Sequence, residues 1–345
     1  MLRSFVRIAA PATLAAVLLA SCAEPPPVIT PPPPAPPSVA LSPKVVELAS
    51  AYRHYMVRST GITPDFADGE GVARSLEVGA AYEPGQLVRG AMAYAAVAAL
   101  QDKAFVDGVR AYAKDPATRG QVAHQLLADP RYVLTMPGVD SAAALVVAGL
   151  GGQAQALYDG GKAVKQSAYD IQRQPWSKNE VASRAERLAE AKALSSAAMV
   201  GDAGETAQLM QASSGAPVLG LTAYPVEPPY TPTVIRGLAI GALAALGEAG
   251  DDKVESILGL MQEPNIGSCM TSSKLNLYQC LAVARPHYED VFCLGQHAMM
   301  DTGRCMIRAA GLPEPYEPRF VPSAESINKG MPTKKAPARK TRKKS

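Results

Sequence analysis

Apolar residues recur every three to four positions along most of this chain. Val45, Val46, Leu48, Ala49, Tyr52, Tyr55 and Met56 line one face of a helix. The same spacing predicts helices over 71–82, 85–100, 105–114, 118–129 and 141–172, and a further long one over 178–200. Along that last helix Glu180, Arg184, Glu186, Arg187, Glu190 and Lys192 read as a solvated face. Asp251, Asp252 and Asp301 stand where helix caps are wanted. No run alternates apolar and polar residues between paired turn signals. The expected fold is therefore all-α, a multi-helix body built as a helical bundle or an irregular helical-repeat array.

The periodicity breaks at 215–233, where Pro217, Pro225, Pro228, Pro229 and Pro232 surround Tyr224 and Tyr230. This stretch predicts a connector between an N-terminal helical lobe, 44–214, and a C-terminal one, 234–311. Tyr224, Tyr230 and Trp176 are the aromatic residues to inspect at the surface, with stapling of loops onto the core as the plainer role. Within the second lobe the run from Val234 to Gly247, followed by Asp251-Asp252-Lys253-Val254 and Ile257-Leu258, resembles one HEAT-type helical unit at 234–262. A weaker echo begins at Arg89-Gly90. A generic alanine-rich helical hairpin writes the same letters, and a solenoid needs at least three units.

The N-terminus carries an address. Arg3 and Arg7 precede an apolar run over 8–19 that only Pro11 and Thr13 interrupt, shorter than the roughly 20 residues of a membrane span. Residues 1–21 therefore read as a secretory signal. Leu19-Ala20-Ser21-Cys22 resembles the lipobox of bacterial lipoprotein precursors. The resemblance implies that Cys22 is lipidated, with palmitate-like acyl chains, and becomes the mature N-terminus. Ala23, where an aspartate would signal inner-membrane retention, implies an outer-membrane destination facing the periplasm. The stretch 22–43 then reads as an anchor and linker, with ten prolines between Glu24 and Pro43. An extended spacer of that length reaches up to roughly 60 Å at about 3.1 Å per residue.

The formal net charge of +3 hides three quantities. Of 34 Lys and Arg, two lie in the first seven residues and eight in the last seventeen, so 24 remain against 31 Asp and Glu in the body. An acidic body thus carries a basic tail, 312–345, expected to be disordered. Lys334, Lys335, Arg339, Lys340, Arg342, Lys343 and Lys344 form its cationic cluster. Outside the cytoplasm their anionic partners are lipopolysaccharide phosphates, anionic lipids, cell-wall carboxylates or another envelope protein, and no nucleic acid is expected.

Cys269, Cys280, Cys293 and Cys305 are an even set, which in an exported chain predicts two disulfides. Three pairings are possible. Cys269–Cys280 with Cys293–Cys305 is preferred here, because Cys293 and Cys305 flank an expected turn at Asp301-Thr302-Gly303. Cys280–Cys293 across Arg285-Pro286 is its competitor. A metal site could recruit Cys293 and His297 at i, i+4, with Cys280 and His287, but the close cysteine pairs of structural zinc sites are missing.

Two motifs imitate cofactor chemistry. Gly149-Leu150-Gly151-Gly152-Gln153-Ala154 has the form of a dinucleotide loop, but no buried strand leads to the acid at Asp170. Tyr158 and Lys162 have dehydrogenase spacing in the wrong place. No cofactor, no metal and no catalytic residue is therefore assigned. The expected function is a non-enzymatic envelope lipoprotein, a scaffold or binding protein. The alternative is an envelope hydrolase using His287, Glu289, Asp290 and His297, which cluster in sequence beside the cysteines.

Overall fold

The computed structural model describes residues 38–316. The signal segment, Cys22, the linker before residue 38 and the basic cluster from Lys334 to Lys344 lie outside the described residues.

Thirteen α-helices make up the described body: α1 (Pro43–Thr60), α2 (Gly69–Ala80), α3 (Pro84–Ala99), α4 (Lys103–Tyr112), α5 (Pro116–Ala128), α6 (Val139–Asp170), α7 (Arg184–Ser196), α8 (Ala203–Ser213), α9 (Pro232–Ala245), α10 (Val254–Leu260), α11 (Pro264–Val283), α12 (His287–Cys293) and α13 (Thr302–Ala310). A π-helix, Leu294–Asp301, joins α12 to α13 without interruption. No strand forms among the described residues, so the fold is all-α. Five prolines start α-helices rather than breaking them. Ser42, Glu83, Asp115, Thr231 and Glu263 each accept a hydrogen bond from a first-turn N–H, and each is followed by proline at the start of the helix. That placement costs nothing, because the missing donor is one the helix could not use.

The centre of the body is α3, whose residues from Gly90 to Ala99 are all buried. A helix apolar on every side must be enclosed by others. It is enclosed by α1, α6, α9 and α11. Alanine and glycine let the backbones approach closely: a Cβ on Gly237 of α9 would lie 2.3 Å from the Cβ of Ala95. The longest helix, α6, spans about 48 Å at 1.5 Å per residue and packs along the continuous α12–π–α13 rod. That contact is also made by glycine, since a Cβ on Gly295 would lie 2.5 Å from the Lys165 amide nitrogen. In the dinucleotide-like run, Gly149 faces the Tyr94 side chain, Gly151 that of Leu312, and Gly152 open space.

One apolar core runs from Val45 to Ala310, through both segments expected as lobes. The segment with HEAT-like letters folds as α9, a short turn and α10, and α9 packs chiefly on α3. In the connector, Tyr230 donates to Asp140 at 2.7 Å and Thr231 to the Ala309 carbonyl at 2.6 Å, whereas Tyr224 is exposed. Trp176 donates to Gln174 and lies beside His287.

The expected long helix over 178–200 is shorter, beginning at Arg184, and its face is not wholly solvated: Arg187 is nearly buried. The preferred disulfide pairing is also corrected. The bonds are Cys269–Cys305 and Cys280–Cys293, with Cα–Cα distances of 5.8 and 5.6 Å. No turn forms at Asp301-Thr302-Gly303, and Asp301 caps nothing, because the rod is helical throughout. Cys293 and Cys305 therefore stand about 18 Å apart along one rod, and Cys269 and Cys280 about 16 Å apart along α11. Only bonds between the two rods satisfy disulfide geometry.

The bonds close loops of 36 and 13 residues. Replacing Cys269 and Cys305 by alanine is expected to cost about 4 kcal/mol, and replacing Cys280 and Cys293 about 3 kcal/mol, by chain entropy. Urea unfolding of both variants checks the order.

Candidate functional site

Below the C-terminal end of α11, a cleft of about 320 Å³ opens between α2, α7 and the start of α12. Its apolar wall is Leu76 of α2, Ala191 and Leu194 of α7, and Leu281 of α11. Exposed Glu77, Glu186 and Glu190 stand around it. Glu186 and Glu190 share one face of α7 at i, i+4, as helical geometry requires. His287 and Asp290 complete the lining, together with Arg187.

Two arginines of α7 hold this end of the molecule together. Arg184 donates from Nε to the Ala284 carbonyl at 2.8 Å and from Nη2 to the Ala282 carbonyl at 3.1 Å, closing off the end of α11. Arg187 donates from Nη1 to Asp290 at 2.5 Å and from Nη2 to the Leu281 carbonyl. The side chains of Arg187 and Asp290 are only 10% and 3% exposed. Burial pushes the Asp290 carboxyl up to about 6, although Arg187 pulls the other way. Burial, and then the Arg187 charge, push the His287 imidazole below its ordinary value. His287 is clamped: it lies next to Trp176, and a Cβ on Gly69 would come within 2.3 Å of its ring.

One turn beyond Leu76 and Glu77, the end of α2 meets a buried lysine. Lys274 of α11 donates from Nζ to the Ala80 carbonyl at 2.6 Å and lies 3.4 Å from the Tyr82 ring centroid. Ser195 donates to the same carbonyl at 3.1 Å. Burial pushes the Lys274 amine well below its ordinary pKa. Beside it, Tyr82, Thr302 and Ser273 form a hydroxyl chain with O–O distances of 2.8 and 3.0 Å.

The four residues that sequence spacing grouped together are divided among three places. His287 and Asp290 line the cleft. Glu289 accepts from the Arg285 amide at 2.8 Å and borders a separate cavity of about 410 Å³ beside Tyr169 and Phe292. His297 lies on the π-helix, its Nδ1 2.7 Å from Asp301. The contributions of Arg187 and Lys274 were not legible beforehand. A basic residue in a charged helical run has no sequence mark of burial, and Lys274 is flanked by ordinary α11 letters. A broader apolar groove of about 860 Å³ lies between α1 and α8, bordered by Leu48, Met199, Val200 and Met210.

Comparison with protein families, with curated proteins and with solved structures finds no match to this chain.

The buried ion pair sets a stability prediction. Asp290→Ala leaves a buried guanidinium without its counter-charge and is expected to cost about 3–5 kcal/mol, whereas Arg187→Met with Asp290→Leu should restore most of that loss. Chemical denaturation of the single and double variants checks it.

Lys274 sets a pH prediction. Its folded pKa lies below its unfolded value, so the unfolded chain binds more protons between the two, and this group makes stability rise with pH across that window. Lys274→Met is expected to flatten the rise between pH 7 and about 9, below the tyrosine range. Thermal unfolding at both pH values measures the slope.

Proposed function

We propose that this protein is a lipid-anchored lipoprotein of the bacterial cell envelope, destined for the outer membrane and facing the periplasm. It acts there as a non-enzymatic helical scaffold or binding protein. The observation that carries this reading is the cysteine arrangement. All four body cysteines are consumed in two disulfides, which persist in oxidising compartments, and Cys22 in the lipobox-like tetrapeptide is the one left over. Attachment through Cys22 requires no spanning helix in the body, and among the described residues no helix is long and apolar enough to cross a membrane. Several acyl chains on one residue hold stably where a single chain holds marginally.

In this reading the proline-rich linker sets the body off the membrane, and the basic tail is an electrostatic arm for an anionic envelope surface. Each Lys or Arg close to such a surface contributes about 1 kcal/mol. The body offers its partner the cleft between α2, α7 and α12 rather than a catalytic centre. The buried carboxylate there, Asp290, is committed to Arg187.

Cys22→Ser tests the anchor. Wild-type protein expressed in a Gram-negative host should incorporate labelled palmitate and fractionate with outer membranes, and the variant should do neither. Palmitate incorporation that persists in the variant would refute lipidation at Cys22.

A further inference from the structure

We propose that the cleft between α2, α7 and α12 is the docking site of this chain's own basic tail, residues 329–345. The inference goes beyond the proposed function and borrows from it only the tail's role as an electrostatic arm.

The cleft presents acid without a counter-charge. Among the described residues, Glu77, Glu186 and Glu190 make no ion pair, while Arg187 of the same lining is paired with Asp290 and Arg184 is spent on the carbonyls ending α11.

 Asp68 adds a negative charge felt at His287, and Glu289 one felt at Asp290.

The cleft also has an apolar wall of Leu76, Ala191 and Leu281. The occupant that fits therefore carries two features: cations for the glutamates, and small apolar groups for that wall. The tail has both. It carries eight Lys or Arg and no acid over its seventeen residues, with Ala336, Pro337 and Ala338 between the basic clusters.

The tail also reaches. The described chain ends beyond Leu312, which packs on Gly151, twelve residues into α6. The cleft adjoins the other end of that helix, where the Ile171 to Lys178 segment meets α12. From Gly151 to Ile171 the helix covers about 30 Å. The seventeen residues from Leu312 to Lys329 span up to about 56 Å when extended.

Trp176 is the only tryptophan in the chain, and its ring centroid lies 6.1 Å from that of His287 in the cleft wall, so its emission reports the site. The test uses the full chain and a full-length variant in which the seven basic residues from Lys334 to Lys344 are replaced by glutamine. A synthetic peptide of residues 329–345, titrated into the neutralised variant at low salt, should restore the wild-type Trp176 emission. Adding Glu77→Gln, Glu186→Gln and Glu190→Gln should weaken the peptide about tenfold, from three exposed pairs at a few tenths of a kcal/mol to 1 kcal/mol each. The control substitutions Glu47→Gln, Glu227→Gln and Glu255→Gln, of equal charge but remote from the cleft, should leave its affinity unchanged. No binding, or equal weakening by both triple variants, overturns the proposal. Phosphatidylglycerol vesicles examine the envelope-contact reading separately. The cleft triple variant, its tail released, should bind them more tightly than the wild type, and equal binding counts against a docked tail.

Discussion

The fold depends on enclosing α3. Its stretch from Gly90 to Ala99, buried throughout and carrying no charged residue, has no stable position at a surface, and no single neighbour can cover it. Four helices from distant parts of the chain are drawn around it, and small residues at the contacts let them come close. Gly237 against Ala95 is the tightest of these approaches. The body consequently closes on one core rather than dividing at the proline-rich connector. The connector itself is held to that core by Tyr230 and Thr231.

The second organising feature is the layer in which α7 is tied to α11 and α12 by arginine. Arg184 and Arg187 satisfy carbonyls that the end of α11 leaves without partners, and Arg187 adds the buried ion pair. A buried pair of this kind is weak evidence of net stability, because desolvation offsets much of the attraction. Its effect is positional. It fixes α7 against α12 at one border of the cleft, and it commits Asp290 to Arg187. The same burial raises the Asp290 carboxyl and lowers the Lys274 amine, so this end of the molecule holds charge reluctantly.

Helix periodicity made most of the fold legible. The expected helices over 71–82, 85–100 and 141–172 correspond to α2, α3 and α6 within a few residues, since their apolar spacing is regular, and α2 and α3 also start on capping side chains. The candidate site was legible only in part. His287 and Asp290 share the cleft, but Glu289 and His297 do not. One residue along a helix turns a side chain by about 100°, and proximity in sequence does not survive that rotation. The disulfide pairing failed for a related reason: an expected turn at Asp301 proved to be uninterrupted helix, and two cysteines on one rigid rod cannot meet.

By itself the sequence determined the helical class, the placement of most helices, the even cysteine set and the separation of an acidic body from a basic tail. Each is written in local spacing or in composition. Only the tertiary structure decided which cysteines bond, which arginine of α7 is buried and which carboxylates stand around the cleft without a partner. Those outcomes depend on the relative placement of helices far apart in the chain, and that placement is set by how the faces of α3 and α6 are covered, a property of the whole body that no local run of residues encodes.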